Sequence, residues 1–283
     1  MFEEASWSGR PCDVLVALHA GRSHGSIERF AREHPDRPCI VAATGTDVYG
    51  DAPITDASRD SLRRATRIVV LQPRAIDRLP EAVRERARVV YQSVALPARR
   101  PPQVQDGFQV ASMAHLRAVK DPLLPARAAR LLPPVSRVRV VHLGGLVDES
   151  LRADLEREQR ENPRFRWLGE LSRGEALDHL ARSRLFVSSS RHEGGSNAVS
   201  EALALGVPVL ATAIPGSVGL LGEDHPGLFP VGDERALARL LGRAETEPAF
   251  RASLEERSRA LAPLTDPARE LASWRALLAE VTA

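Results

Sequence analysis

The chain has 283 residues, 43% hydrophobic and 27% charged, which excludes a disordered or collagen-like polypeptide and, at roughly 150 residues per domain, suggests two domains. Lysine and arginine number 39 against 37 aspartates and glutamates, for a formal net charge of +2. Neither sign gathers into a long block, so no nucleic-acid or membrane partner follows from the charge.

The opening Met1-Phe2-Glu3-Glu4 carries acids where a signal peptide needs positive charge, and no run approaches the roughly 18 apolar residues of a membrane span; the expectation is a cytoplasmic protein. Cys12 and Cys39, the only cysteines, are too few for a disulfide framework or a cysteine zinc site, and are read as reduced.

Short apolar runs at Val14–Leu18, Cys39–Ala42, Arg67–Leu71 and Val89–Tyr91 alternate with candidate helices at Ser26–Glu33, Ser58–Ala65 and Arg74–Arg86. Continuous β-branched runs separated by helix-sized segments predict parallel strands covered on both faces. The prolines and arginines of Leu96–Pro102 read as a solvated connector. The pattern then restarts with strands at Phe108–Ala111, Val138–Leu143, Phe165–Leu168, Leu185–Val187 and Pro208–Ala211, and closes on a helix from Asp266 to Ala283 with Pro267 in its first turn. The expectation is an α/β protein with Rossmann-like domains at residues 1–100 and 101–262, followed by a closing helix at 263–283 that turns back toward the first domain.

Residues Leu185–Pro215 carry the clearest chemical signal: strand, glycine turn, helix, glycine stop, strand. That order places a loop at the carboxyl edge of a parallel sheet and feeds it into a helix N-terminus, where ligands are favoured. Gly194 and Gly195 remove side chains where backbone amides approach an anion, and the first turn from Ser196 and Asn197 adds N–H groups and partial positive charge. Glu201 lies four residues beyond Asn197 on the same helix face, and Glu193 precedes the glycine pair. Two carboxylates beside a phosphate repel it, so they are expected to face hydroxyls or a cation; a vicinal ribose diol suits Glu201. The alternative is a helix-capping loop with solvated glutamates.

Other chemistries lack their motifs. Leu143-Gly144-Gly145-Leu146 follows a strand without the Gly-x-Gly-x-x-Gly spacing of a dinucleotide loop, and no Gly-x-x-x-x-Gly-Lys-Ser/Thr sequence occurs.

Glu193 and Glu201, separated by seven residues and followed by Ala-Leu-Ala-Leu-Gly-Val-Pro-Val-Leu-Ala, resemble the paired-glutamate signature of retaining family-four glycosyltransferases. That resemblance implies the GT-B fold, two Rossmann-like domains facing a central cleft, and a nucleotide-sugar donor. The wider set of Thr44–Tyr49, Val70–Gln72, His115–Pro122, Ser190–Asn197 and Gly219–Gly222 is similar to one branch, the selenosugar synthases of selenoneine biosynthesis. The branch implies transfer of a hexose or N-acetylhexosamine from a UDP-sugar, UDP-glucose or UDP-N-acetylglucosamine, to selenophosphate. Another acceptor, or sugar-nucleotide binding without turnover, remains the alternative.

The resemblance also implies roles for individual residues. Arg117 and Lys120 match the basic pair that neutralises the departing diphosphate, with His115 standing where many relatives have arginine. His19 is implied to contact the donor sugar or acceptor, its alternative being a satisfied core histidine. Thr44, Thr46 and Asp47 are expected to line the same cleft, and Asp47 alternatively caps a turn. Arg22 and Ser23 are candidates for the anionic acceptor, with a plain surface arginine as the alternative. The uracil is expected near Trp167 to Leu171, and Pro215–Gly222 near the same pocket. No metal or other cofactor is expected, because Arg117 and Lys120 supply the positive charge. Because the first clear strand begins only at Val14, the opening strand and glycine loop of a GT-B first domain are expected to be missing, through a late start, truncation or natural variation.

Overall fold

A computed structural model describes residues 2–45, 49, 54–97, 101–103 and 106–283. The chain divides into two compact units, one of Met1–Gln92, Glu193–Gly195 and Ala268–Ala283, the other of Ser93–His192 and Ser196–Pro267.

In the first unit, β1 (Leu15–Leu18), α1 (His24–Glu33), β2 (Cys39–Ala42), α2 (Asp56–Arg64), β3 (Arg67–Val70) and β4 (Ala87–Val89) alternate. Among the described residues the strands form a parallel sheet in the order β1-β2-β3-β4, each beside its chain neighbour. Side chains alternate between the two faces, as a pleat requires. Val41, Ile68 and Val70 join one core with Ile27, Phe30 and Leu62, while Ile40, Ala42 and Val69 join another with Leu277 and Trp274. Leu277 and Trp274 lie on α10 (Pro267–Thr282), so this helix covers the second face of the sheet. Arg67 Nη2 lies 2.9 Å from Glu280 Oε1 and Arg88 Nε 3.2 Å from Oε2, and these bonds hold the Glu280 carboxyl below its ordinary range.

One expected element differs. In place of a helix over Arg74–Arg86 there are two 3-10 turns, Pro73–Arg78 and Glu81–Arg86. Pro80 disfavours helical backbone at Leu79, which is extended at ψ 150°, so the segment breaks there. β4 accordingly starts at Ala87, two residues before the expected run.

The second unit runs β5 (Phe108–Met113), α3 (Leu124–Arg130), β6 (Val138–Leu143), α4 (Arg152–Glu161), β7 (Phe165–Trp167), α5 (Arg173–Arg182), β8 (Leu185–Ser188), α6 (Asn197–Ala204), β9 (Val209–Thr212), α7 (Pro215–Leu221), β10 (Leu228–Phe229), α8 (Glu234–Thr246) and α9 (Pro248–Leu261). Its sheet is parallel in the order β10-β9-β8-β5-β6-β7. The strand order reverses between β5 and β8, which places the carboxyl-edge crevice of this doubly wound sheet at the loops after those two strands. Phe108, Val110, Val138, Val140 and Leu185 form its core with Leu124, Leu155 and Leu237.

Candidate functional site

At the switch point, the loop after β5 carries Arg117 and Lys120, and the loop after β8 leads into α6. These loops are joined directly. Ser189 Oγ donates toward the carbonyls of Lys120 (3.0 Å) and Asp121 (2.9 Å), and Arg191 N donates to Val119 O at 2.8 Å. The Asp121 carboxylate bonds Arg191 Nη2 through one oxygen and Arg127 Nη2 through the other, both at 3.0 Å. The segment holding Lys120 is thus fixed to the segment that leads toward α6. Arg117 is exposed at the start of the 3-10 turn Ala118–Lys120, and Lys120 is half-buried at its end. His115, the other candidate for the basic pair, accepts from Gly145 N at Nδ1 (3.2 Å) and braces the loop after β6.

Ser196 is the N-cap of α6 in extended conformation (φ −89°, ψ 109°), and its hydroxyl accepts from Val199 N at 3.4 Å. The amides of Asn197 and Ala198 in the first turn have no acceptor within the helix by its geometry, so the N-terminus is a partial positive end. Asn197 is exposed and Glu193 half-buried.

The glycines of this turn answer to space. Glu193–Gly195 group with the first unit. There a Cβ on Gly194 overlaps the Tyr49 ring, and one on Gly195 sits 2.8 Å from Leu71 Cβ. Gln72, fully buried, donates from Nε2 to Gly194 O at 3.3 Å, and its Oε1 is buried without a hydrogen-bond partner. The close approach that demands glycine is therefore to protein atoms, which adds a steric reason to the anion-binding one read from the sequence.

Glu201, one turn into α6, has a side chain 13% exposed, and Arg173 Nη2 lies 3.3 Å from its Oε1. Burial pushes the Glu201 carboxyl above its ordinary value, while the Arg173 guanidinium pulls it back. Arg173 is the first residue of α5, after the N-cap Ser172, whose hydroxyl and the Glu175 carboxylate form a capping box. Leu171, half-buried, immediately precedes that cap, so the segment expected to meet the uracil runs into the helix whose arginine holds Glu201. Trp167 is partly buried against the core and donates from Nε1 to Gly144 O at 2.8 Å, a structural use of its ring. Pro215 to Leu221 form α7, which begins directly after β9 and Ile214.

In the first unit, His19 follows β1 with left-handed backbone (φ 72°), a conformation that a non-glycine residue adopts at a cost. It is half-buried, and its Nδ1 accepts from Arg22 N at 3.1 Å, which leaves the proton on Nε2. Ser23 Oγ donates to Leu18 O at 2.7 Å. Thr44, half-buried, follows β2 at the same sheet edge. Thr46 and Asp47 lie outside the described residues.

Asp121, Arg173 and Gln72 are not singled out by the sequence motifs. Two of their pairings are remote along the chain, 70 residues for Asp121 with Arg191 and 122 for Gln72 with Gly194, and are set by the tertiary fold.

Residues 98–261, more than half of the chain, match the model of the family described as glycosyl transferases group 1. The chain is 32% identical over 134 residues to Glycosyltransferase 1 domain-containing protein 1 of Xenopus tropicalis; the match covers 47% of this chain and 39% of that relative, about two-fifths of its length. The fold is similar to that of HepE of Anabaena, solved in complex with UDP, with a TM-score of 0.76, 16% identity, and 95% of this chain and 78% of that one covered. It is also similar to sucrose-phosphate synthase of Thermosynechococcus elongatus, with a TM-score of 0.77, 18% identity, and coverage of 95% and 74%. The two parallel α/β sheets are those of the GT-B fold, and the chain belongs to the glycosyl transferases group 1 family.

Proposed function

We propose that this chain is a glycosyltransferase whose second unit takes a UDP-sugar at the N-terminus of α6. The observation that carries the reading is the capped helix start at Ser196 beside the sheet's switch point, with the half-buried Glu201 one turn further on. An anionic diphosphate is stabilised by first-turn amides and the helix dipole. The Glu201 carboxylate accepts two hydroxyl donors from a pentose diol. HepE has been solved with UDP and with UDP-glucose, which supports UDP as the carrier.

In this reading Arg117 and Lys120 offset the charge that grows on the leaving diphosphate, without a metal. Leu171 stands beside the uracil, and Glu193 faces the transferred sugar together with Gly194, Gly195 and Asn197. His19 and Thr44 serve the sugar or its acceptor. The transferred group is a hexose or N-acetylhexosamine, and the acceptor is selenophosphate; the support for that acceptor is the combined motif set of Thr44–Tyr49, Val70–Gln72, His115–Pro122, Ser190–Asn197 and Gly219–Gly222. Selenium supplies the electron pair for a new carbon–selenium bond as the anomeric carbon–oxygen bond breaks and its pair leaves on UDP. Anionic selenium needs no general base, so catalysis rests on alignment and on stabilising the departing UDP.

The test is mass spectrometry of reactions with UDP-N-acetylglucosamine or UDP-glucose and selenophosphate. A selenium-bearing glycoside formed with stoichiometric UDP supports the reading. UDP release with other acceptors but none with selenophosphate overturns the acceptor, and UDP-sugar binding with background UDP release overturns turnover.

A further inference from the structure

The geometry points to Asp121 as a positioning residue for the reaction, a carboxylate clamp that holds the Lys120 segment against the loop leading to α6. The inference rests on the reading above that Lys120 faces the departing diphosphate.

Three observations converge on this side chain. Asp121 has left-handed backbone (φ 41°, ψ 53°), a conformation that costs most non-glycine residues and that aspartate and asparagine accept more readily than others. It is 7% exposed, and a carboxylate so enclosed is costly unless paired. Both of its oxygens are paired, one with Arg127 from α3 and the other with Arg191 from the loop after β8, and Arg127 is itself held at 3.1 Å from Glu234 Oε2 on α8. The residue with the most constrained backbone on this loop therefore ties three elements together immediately after Lys120.

A turn alone does not require this arrangement. Glycine meets the backbone demand at this position without any carboxylate. The carboxylate adds a fixed distance between the Lys120 segment and Arg191, reinforced by the paired bonds from Ser189 Oγ. Arg191 spends one edge of its guanidinium on Asp121 while its side chain stays 52% exposed. Electrostatic stabilisation of a leaving group depends on cations already in place, so loss of the clamp acts on the transition state more than on ground-state binding.

The test compares wild-type protein with Asp121→Asn, which tolerates left-handed backbone but lacks the charge, and with Arg191→Gln, which opens the clamp from its exposed end. Amide hydrogen exchange over residues 117–123 is expected to accelerate in both variants. With UDP-sugar and an accepted acceptor, kcat per folded molecule is expected to fall about tenfold or more while KM for the UDP-sugar stays within about threefold, in line with the loss of a charge-assisted bond at a preorganised site. Asp121→Glu, which keeps the charge, is expected to recover part of kcat. A kcat in both variants equal to wild type, or unchanged exchange over 117–123, overturns the clamp. Wild-type protein that binds UDP away from the Lys120 loop overturns the donor-site reading instead.

Discussion

The Arg173 guanidinium, at the first residue of α5, lies 3.3 Å from the Glu201 carboxylate in the second turn of α6. A cation at a helix N-terminus opposes the helix dipole, so Arg173 gains from this acid partner. The acid gains as well, because burial alone drives its carboxyl toward the neutral form. The Arg173 cation from the neighbouring helix thus opposes the upward push of burial on the carboxyl proposed for the ribose diol, and a diol that binds there shares it with Arg173.

Glu201→Gln is expected to weaken UDP binding by roughly 10- to 100-fold, the loss of charge-assisted hydrogen bonds to two hydroxyls. The raised carboxyl has the opposite effect on stability. Its contribution is present below the unfolded value of 4.5 and is lost as pH rises through the higher folded value, so the variant is expected to be as stable as wild type or more so at pH 7. Isothermal titration with UDP and thermal melts at pH 5 and pH 7 check both halves. Unchanged UDP affinity in the folded variant contradicts the ribose role.

Lys120→Ala is expected to depress turnover about 100-fold with a change in stability within about 1 kcal/mol, as for a charge at a half-buried loop position that acts mainly on the transition state. Turnover of wild-type protein is expected to be insensitive to EDTA. Coupled detection of UDP release, with and without chelator, measures both; chelator-sensitive turnover contradicts the role given to Arg117 and Lys120.

Gly194→Ala is expected to destabilise the protein by about 1–3 kcal/mol, because the added methyl overlaps the Tyr49 ring. Gly174→Ala, on α5 with nothing within 4 Å of its added methyl, is expected to stabilise by about 0.5–1 kcal/mol. Urea denaturation of the pair separates crowding from a generic glycine effect, and equal midpoints contradict the steric account of the turn.

His142, fully buried on β6, bonds through Nε2 to Ala114 O at 3.0 Å, and its Nδ1 is buried without a partner. Burial pushes its pKa down to about 4 from 6.5, and does the same for His225. The unfolded chain therefore binds more protons between these values, and stability is full above pH 6.5 and lost as pH falls toward 4, by roughly 3 kcal/mol per histidine at completion. His142→Gln, which keeps a donor for Ala114 O, is expected to flatten the slope of denaturation free energy against pH in that window. A wild-type slope in the variant contradicts the buried neutral histidine.

The apolar runs at Cys39–Ala42, Val138–Leu143 and Leu185–Val187 coincide with their strands to within about two residues, because strands covered on both faces are apolar nearly throughout, whereas Val14–Leu18 forms the edge strand β1 with Val16 and Leu18 exposed, contrary to the expectation of cover on both faces. The segment before β4 was misread because the helical spacing of Arg74–Arg86 outweighed Pro80, whose effect on Leu79 decides the local backbone. At the site, the Ser196 cap and the shared face of Asn197 and Glu201 follow from local periodicity and were legible. The pairing of Arg173 with Glu201, and of Asp121 with Arg191, depends on β8 lying beside β5 and on how the helices pack, which no short window encodes.

The central claim is that a sugar-linked diphosphate rests on the first turn of α6, and the most direct test is a crystal structure of the protein soaked with UDP. The account predicts the diphosphate oxygens within hydrogen-bond reach of the amides near Ser196 and Asn197, and the ribose diol on the Glu201 carboxylate beside Arg173. UDP bound at another place, with those amides and Glu201 making no contact to it, contradicts the account.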